Sequence, residues 1–347
     1  MKRLFVILLL LLNTDSFSQS ISPSDLQQIK NIESRIKGYA DSIVKADDWF
    51  NRFQADSIFT RGLVRALKVP YSFEYNFDSI QSISKVYAPD SSFRIFTWQV
   101  MKDLSYYRQR GAIQMRTQDG SLKLFPLFDY SDFTKAPTDS VRDTKRWIGA
   151  IYYKIILKTF NNKKYYTLLG FDENDARSNK KWIDILTFDT DGTPHFGGRY
   201  FSYRNEYNKP PQPAFRFCLE YKKDASARMN YDPKYDMIIF DRLVSESADN
   251  DNKYNLIPNG DYEGFKWVDG RWVYVNNPFE NVIFDPKQKE NPANILDDKG
   301  NRNEKKLEEI SKKNQDKQQP QQPAAPNDPN KINDKKKQYQ RGENGDY

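Results

Sequence analysis

The chain has 347 residues with one cysteine and one histidine, and its 54 Lys and Arg exceed its 47 Asp and Glu by seven. A single cysteine excludes an intramolecular disulfide, and one cysteine with one histidine leaves too few ligands for a zinc site of the usual kind. A net charge of +7 without a basic stripe and interleaved aromatic residues excludes a nucleic-acid partner.

Residues 1–18 have the three-part pattern of a cleavable secretory signal peptide. Lys2 and Arg3 are positive, residues 4–12 form an unbroken run of nine apolar residues, and Ser18 precedes the expected cleavage site. A helix of that run would be only about 14 Å long, roughly half of a bilayer core, and no cysteine lies near the site to carry a lipid. We therefore expect a periplasmic or secreted protein without a permanent membrane anchor; the alternative is a buried N-terminal helix.

Residues 19–70 are predicted to form a helical segment that packs on the rest of the protein. Ser22 and Pro23 suit the N-cap and the first helical position. Apolar residues then recur at three- and four-residue steps, which predicts two amphipathic helices. The first stripe is Leu26, Ile29, Ile32, Ile36, Tyr39 and Ile43, and the second is Trp49, Phe50, Phe53, Phe59, Leu63 and Leu67. A coiled-coil partner surface is the alternative, but the repeat lasts under three heptads.

From residue 71 to residue 283 the apolar pattern changes to a period of two, which is typical of β-strands. The clearest alternation lies in residues 214–221. There we expect one face in the core, with Arg216, Cys218 and Glu220 towards water. Cys218 is also interpreted as a small, buried apolar residue.

Residues 237–240 are apolar on both faces and are predicted to run through the centre of a sheet. Turn signals at Asn161-Asn162, Asp191-Gly192 and Asp269-Gly270 indicate hairpins, and hence antiparallel strands. The predicted fold class is mainly β with an N-terminal helical segment (α+β). Its β domain is a large antiparallel β-sandwich or an open barrel.

Residues 284–347 are predicted to be a disordered polar tail. Gln, Pro, Asn, Asp and Lys dominate this region. Such a composition cannot bury enough apolar surface to offset the entropy of an ordered chain.

Catalysis by a nucleophile and a histidine is disfavoured by the residue counts. His195 is the only histidine, and it follows a turn, whereas Cys218 lies in a different predicted strand. No Gly-x-Ser-x-Gly elbow and no glycine-rich phosphate loop occur in the sequence.

Two oxygen-rich loops were weighed as calcium sites, which need six to eight oxygen ligands. Asp172 and Asn174 fit the first two ligand positions of a calcium loop, but Ala176 fills the third. Residues 249–252 fit less well, because Lys253 occupies the third ligand position of that loop. Solvated turns are the favoured interpretation of both loops, and no other cofactor is expected.

Paired carboxylates are the remaining catalytic hypothesis. Asp172, Asp175 and Asp184 could serve as acid and base in glycoside hydrolysis, together with the neighbouring Glu173. The separation of two such groups decides that mechanism, and the sequence does not give it.

A hairpin at residues 265–274 carries the most specific local pattern. A two-residue Asp-Gly turn would place Trp267 opposite Trp272 and Phe265 opposite Tyr274, with all four rings on one face. Trp267, Trp272 and Tyr274 are therefore candidate binding residues, as a stacking platform for a sugar or a peptide. The favoured alternative buries this face in the core.

Four stretches together resemble a group of uncharacterised exported proteins of Bacteroidota-type bacteria. They are residues 165–172, 181–188, 215–221 and 260–267. The resemblance implies a bacterial source and a location in the cell envelope, and it implies no activity and no site residues.

The sequence favours a non-catalytic envelope or secreted module that binds a protein, a peptide or a glycan. A secreted, glycan-directed hydrolase with paired carboxylates is the alternative.

Overall fold

The computed structural model describes residues 20–203, 214–247, 249 and 252–279. The predicted signal peptide at 1–18 and the predicted polar tail at 284–347 lie outside the described residues. Within the described ranges, no helix is both long and apolar enough to span a bilayer.

Within the described residues, two helices precede the sheets: α1 spans Pro23–Lys45 and α2 spans Trp49–Leu67. Ser22 is the N-cap of α1, and its Oγ accepts a hydrogen bond from the Asp25 N–H at 3.1 Å, as predicted. Asp48 caps α2 in the same way, accepting from the Asn51 N–H at 2.8 Å. Both side chains satisfy amide groups that have no partner within the helix.

The two helices pack against each other and against the first sheet. Ile29, Ile36 and Ile43 of α1 are buried together with Phe59 and Leu63 of α2. The predicted apolar stripes include three residues that are exposed to solvent and not buried, namely Tyr39, Trp49 and Phe50. In α1 the small residue Ala40, which lies four positions after Ile36, is buried in place of Tyr39. In α2 the first buried residue is Ala55.

In the part of the chain that the structure describes, fourteen strands form three sheets, and every pairing inside them is antiparallel except that of β9 with β14. The first sheet has the order β1-β2-β3-β4: Ser84–Tyr87, Phe93–Asp103, Tyr106–Met115 and Lys123–Phe128. The second contains β5 (Ile151–Phe160), β6 (Lys163–Asp172), β7 (Ser178–Phe188), β8 (Pro194–Phe196) and β10 (Phe217–Lys222). The third contains β9 (Phe201–Ser202), β11 (Met229–Asp232), β12 (Met237–Ser245), β13 (Leu256–Val268) and β14 (Arg271–Asn276).

The strand orders agree with the hairpin turns in the sequence. The second sheet has the order β10-β7-β6-β5 with β8 beside β7, and the third has β11-β12-β13-β14-β9. Asn161 and Asn162 both have positive φ, as a tight turn between β5 and β6 requires. Strand β12 has neighbours on both sides, which confirms the central position predicted for residues 237–240.

Three apolar cores separate four layers in the order helices, first sheet, second sheet, third sheet. An aromatic pair marks each core: Phe59 with Trp98, Phe93 with Tyr166, and Phe217 with Phe240, with ring centroids 5.3, 4.8 and 4.7 Å apart. The predicted α+β sandwich is therefore confirmed. It contains three stacked sheets, whereas a simple sandwich contains two.

The second sheet lies between the first and the third, and this position overturns one expectation about β10 and the residue that precedes it. Arg216, predicted to point towards water, is buried in an ion pair, and Cys218 packs against the core between the first and second sheets. Alternation predicts two different faces of a strand, but here both faces are covered by protein. Glu220 is half-buried as well.

Candidate functional site

The aromatic hairpin has the predicted register but lies in the core. Trp267 pairs with Trp272 and Phe265 with Tyr274 across the Asp-Gly turn. Trp272 is fully buried, and its indole N–H donates to the Thr167 Oγ1 at 2.8 Å. These rings fill the space between the second and third sheets, where Trp267 is half-buried. The structure thus places the predicted stacking platform inside the protein.

Asp172 ends β6 and faces the first sheet. Its Oδ1 accepts hydrogen bonds from the Gln109 Nε2 at 2.8 Å and from the Asn174 N–H at 3.0 Å. Burial raises the pKa of the Asp172 carboxyl to about 6, against the lowering effects of the Asn174 N–H and of Lys180. Asp172 therefore joins two sheets and prefers to be protonated more than an exposed carboxyl does.

The side chain of Asn174, the second candidate calcium ligand, is engaged by protein groups. Its Oδ1 accepts from Lys180 Nζ at 2.7 Å, and its Nδ2 donates to Ser178 Oγ at 2.7 Å. In the part of the chain that the structure describes, no three His, Cys, Asp or Glu side chains are grouped so that they could hold a metal ion.

Asp175 and Asp184 have separate structural roles. Asp175 Oδ1 accepts from the backbone N–H groups of Arg177 and Ser178, at 2.7 and 2.9 Å, which closes the turn before β7. Asp184 is buried and pairs with Arg216 at 2.8 Å. Burial raises the pKa of the Asp184 carboxyl, and the Arg216 guanidinium opposes that rise.

The sheet register sets the separation of the two buried acids. Asp172 lies opposite Lys180, and Asp184 lies four residues further along the same strand as Lys180. Four residues of a strand span about 13 Å. The carboxyls of glycoside hydrolases are roughly 5–10 Å apart, so this pair does not have the spacing of that mechanism.

His195 and Cys218 do not meet. Both β8 and β10 pair with β7, where His195 lies opposite Thr187 and Cys218 lies opposite Trp182. Five residues along a strand correspond to about 16 Å. His195 Nε2 instead lies 2.6 Å from Asp189 Oδ2 near the surface.

A surface groove between α2 and the first sheet brings together residues that no motif predicted. Its floor is a cross-strand row, in which Trp98 pairs with Arg110 and Arg110 pairs with Phe128. Directly opposed residues of antiparallel strands project from the same face of a sheet. Trp98 is buried, Arg110 is half-buried and Phe128, on the edge strand β4, is 57% exposed.

Asp56 of α2 fixes this row from above. Its Oδ1 accepts from the Trp98 indole N–H at 2.8 Å. Its Oδ2 accepts from Arg110 Nε at 3.0 Å and lies 2.9 Å from Arg110 Nη2 in the ion pair. Asp56 is 1% exposed, so this ion pair lies in a medium of reduced dielectric constant, where its attraction is stronger than at the surface. The orientation of Arg110 is therefore set by a contact within the protein.

The wall of the groove comes from the next turns of α2. Ser57, Thr60 and Arg61 line it, Pro126 and Phe128 lie on the opposite side, and the enclosed volume is about 300 Å³. Arg61 is exposed, and its side chain makes no hydrogen bond, ion pair or ring contact with any residue that the structure describes. We call this site, defined by Ser57, Thr60, Arg61, Arg110, Pro126 and Phe128, the α2–β4 groove.

An exposed aromatic pair follows Phe128 in the chain. The rings of Tyr130 and Phe133 lie 5.1 Å apart, and Phe133 is 73% exposed, the largest fraction among the large apolar residues described. Apolar side chains grouped at a surface are typical of interaction sites.

A second groove of about 380 Å³ lies on the third sheet near Tyr231, Tyr262 and Phe279. It borders the edge strand β11, yet polar groups of that edge already have partners. The Met229 carbonyl accepts from the Tyr153 hydroxyl at 2.8 Å, and the Tyr231 N–H donates to Asn230 Oδ1 at 2.9 Å. Because these groups are occupied, the edge is less suited to adding a peptide strand.

The one sequence signal for the α2–β4 groove is the position of Asp56. It lies between the apolar residues Phe53 and Phe59, on the face of α2 that the hydrophobic pattern assigns to the core. A carboxylate at such a position needs a buried partner, but the partner is 54 residues away in the chain.

The comparisons with known proteins give no relative from which a role could be transferred. No protein-family model, no curated protein and no solved structure matches this chain.

Proposed function

We propose that this protein is an exported, non-catalytic binding module whose α2–β4 groove takes a segment of a partner protein as an extended peptide. The observation that carries the proposal is the pairing of an unpartnered guanidinium, Arg61, with an exposed ring, Phe128, across a groove whose floor is held by Asp56. Export rests on the signal-peptide pattern of residues 1–18.

The size and lining of the groove support a peptide. Ligand pockets enclose roughly 300–1,000 Å³, so a volume of about 300 Å³ suits one or two side chains. Pro126 and Phe128 offer apolar contact, and Thr60 offers a hydroxyl group, whereas the Ser57 hydroxyl donates to the Phe53 carbonyl at 3.0 Å. Aromatic and arginine residues are also those that dominate protein interfaces.

The hydrolase alternative has less support. Its strongest feature is Asp172, whose pKa is raised to about 6 by burial, a value that suits a general acid. Its candidate partner Asp184 is paired with Arg216 and lies about 13 Å away along the ladder. Neither carboxyl belongs to the groove.

A panning experiment tests the proposal. The whole chain is immobilised and screened against a displayed library of random heptapeptides, and against a glycan array in parallel. We expect selected peptides whose binding falls at least tenfold in Phe128→Ser. Trp49→Ser, which removes a 51% exposed ring outside the groove, should bind them as the wild type does. Selection of glycans alone, or of peptides indifferent to Phe128→Ser, would overturn the proposal.

A further inference from the structure

The two arginines of the α2–β4 groove are its charged groups with side-chain donors that no described residue uses. Arg110 directs Nε and Nη2 at Asp56, and its Nη1 makes no hydrogen bond with the described residues. Arg61 has all of its guanidinium donors unused by those residues. The groove therefore presents N–H donors from its floor and from its helix wall.

We infer that the groove selects a peptide carboxylate beside an apolar residue, with the carboxylate bound by Arg61 and Arg110 and the apolar side chain on Phe128. This inference rests on the proposed binding function and adds the chemistry of the ligand. The carboxylate is either an Asp or Glu side chain or the C-terminus of the peptide.

Charge complementarity is the first argument. Among the described residues that line the groove, Asp56 is the one carboxylate, and it already accepts from Trp98 and Arg110. With the charge of Arg110 balanced by Asp56, the charge of Arg61 has no counterpart in the groove. A planar guanidinium matches a carboxylate through two parallel hydrogen bonds, so an acidic group would complete the site.

The apolar side of the groove is the second argument. Pro126 and the ring of Phe128 lie opposite the helix wall that carries Arg61. An occupant that reaches both walls needs an acidic group and an apolar group close together, as adjacent residues of an extended peptide provide. A neutral sugar would leave Arg61 without a counter-charge.

Arg110 acts here as a positioned donor. Its side chain is 31% exposed, whereas its partner Asp56 is 1% exposed. The buried carboxylate thus holds the guanidinium from one side and leaves the other side to the groove. Arg61 has no such support, and its side chain is ordered by the ligand.

A peptide array tests the inference with defined probes. Octapeptides carry Glu, Gln, Asp or Asn at one central position, next to Phe, Leu or Ser, with free or amidated C-termini. We expect a Glu-Phe or Asp-Leu type of peptide to bind at least tenfold more tightly than its amide counterpart. A peptide whose only carboxylate is its C-terminus should lose affinity on amidation if the groove takes termini. Adding salt should weaken acidic peptides most.

Arg61→Gln should remove the preference for the acid over the amide. Arg65→Gln is the matched control, because Arg65 is an exposed arginine one turn further along α2 that does not line the groove. If peptides bind in a Phe128-dependent manner without any acid preference, the inference is overturned and the proposed function stands. If an acidic glycan binds and peptides do not, both are overturned. An acid preference that survives Arg61→Gln but not Arg65→Gln also overturns the inference.

Discussion

Arg110 approaches a single carboxylate oxygen of Asp56 with two of its nitrogens: Nε donates a hydrogen bond at 3.0 Å, and Nη2 lies 2.9 Å away in the ion pair. The pair joins helix α2 to the middle of the first sheet. Because the second oxygen of Asp56 accepts from Trp98 at 2.8 Å, the carboxylate fixes two neighbouring members of the groove floor at once. This relationship makes the groove a preformed site.

Removing the carboxylate should destabilise the fold. Asp56→Ala leaves the buried Trp98 N–H without an acceptor and Arg110 without its counter-ion. Because Arg110 is partly exposed, we expect a loss of about 2–3 kcal/mol in the free energy of unfolding, measured with urea. Glu246→Ala, which breaks an exposed pair with Lys222, should change it by about 0.5 kcal/mol or less. Equal effects of the two substitutions would contradict the role of Asp56.

Replacing Arg94 by lysine should destabilise the fold. It is fully buried without an ion pair among the described residues, and its guanidinium donates to the Gln114 side chain and to the carbonyls of Ser72 and Tyr75. A single ammonium group cannot reach all of these acceptors. We expect Arg94→Lys to lower the urea midpoint by an amount equivalent to about 3 kcal/mol.

Arg116→Lys is the control for that substitution. Its side chain is 44% exposed and pairs with Glu74 at the surface, so the expected change is within about 0.5 kcal/mol. The rings of Phe73, Phe77, Tyr87 and Phe96 surround the Arg94 guanidinium. A mild effect at position 94 would show that the packing of these rings, and not the fork of hydrogen bonds, holds this region.

The stability that Asp172 contributes should be lost as the pH rises. The contribution of a carboxylate in a surface ion pair is instead lost as the pH falls. Its pKa is about 6 in the folded protein and about 3.9 when unfolded, so between these values the folded state binds more protons. Its stabilising contribution is therefore complete below about pH 4 and is lost as the pH rises through 6.

Asp172→Asn removes this dependence while keeping an oxygen for Gln109. We expect the two proteins to be similarly stable at pH 4, and the variant to gain on the wild type by about 2–3 kcal/mol between pH 4 and pH 7. Urea unfolding at four pH values measures the difference. Parallel curves for the two proteins over that interval would show that the Asp172 pKa is not raised.

Trp272 should act as a core residue and not as a ligand platform. Trp272→Ala removes a fully buried ring and the hydrogen bond to Thr167, and we expect a loss of about 3–5 kcal/mol. The fraction that remains folded should bind selected peptides with unchanged affinity. A variant that keeps its stability but loses its ligand would restore the platform hypothesis for this hairpin.

Local rules predicted the elements that depend on neighbouring residues. The register of the 265–274 hairpin followed from the alternation of its rings and from a turn whose two residues accept positive φ, and the start of α1 followed from Ser22 and Pro23. In each case the interacting residues are close in the chain, so period and propensity are sufficient.

The sequence could not predict what depends on stacking of the sheets. Arg216 was expected in water because its strand alternates, and only the two layers around the second sheet explain its burial beside Asp184. The groove has the same origin. Its row of Trp98, Arg110 and Phe128 needs two hairpin registers, and Asp56 reaches it from a helix.

Nuclear magnetic resonance mapping of a selected acidic peptide on the ¹⁵N-labelled whole chain tests the central claim most directly. We expect the side-chain N–H signals of Arg61 and Arg110 and the indole signal of Trp98 to shift, with the indole signals of Trp267 and Trp272 unchanged. Shifts confined to the hairpin indoles, with the arginine signals in place, would contradict peptide binding in the α2–β4 groove.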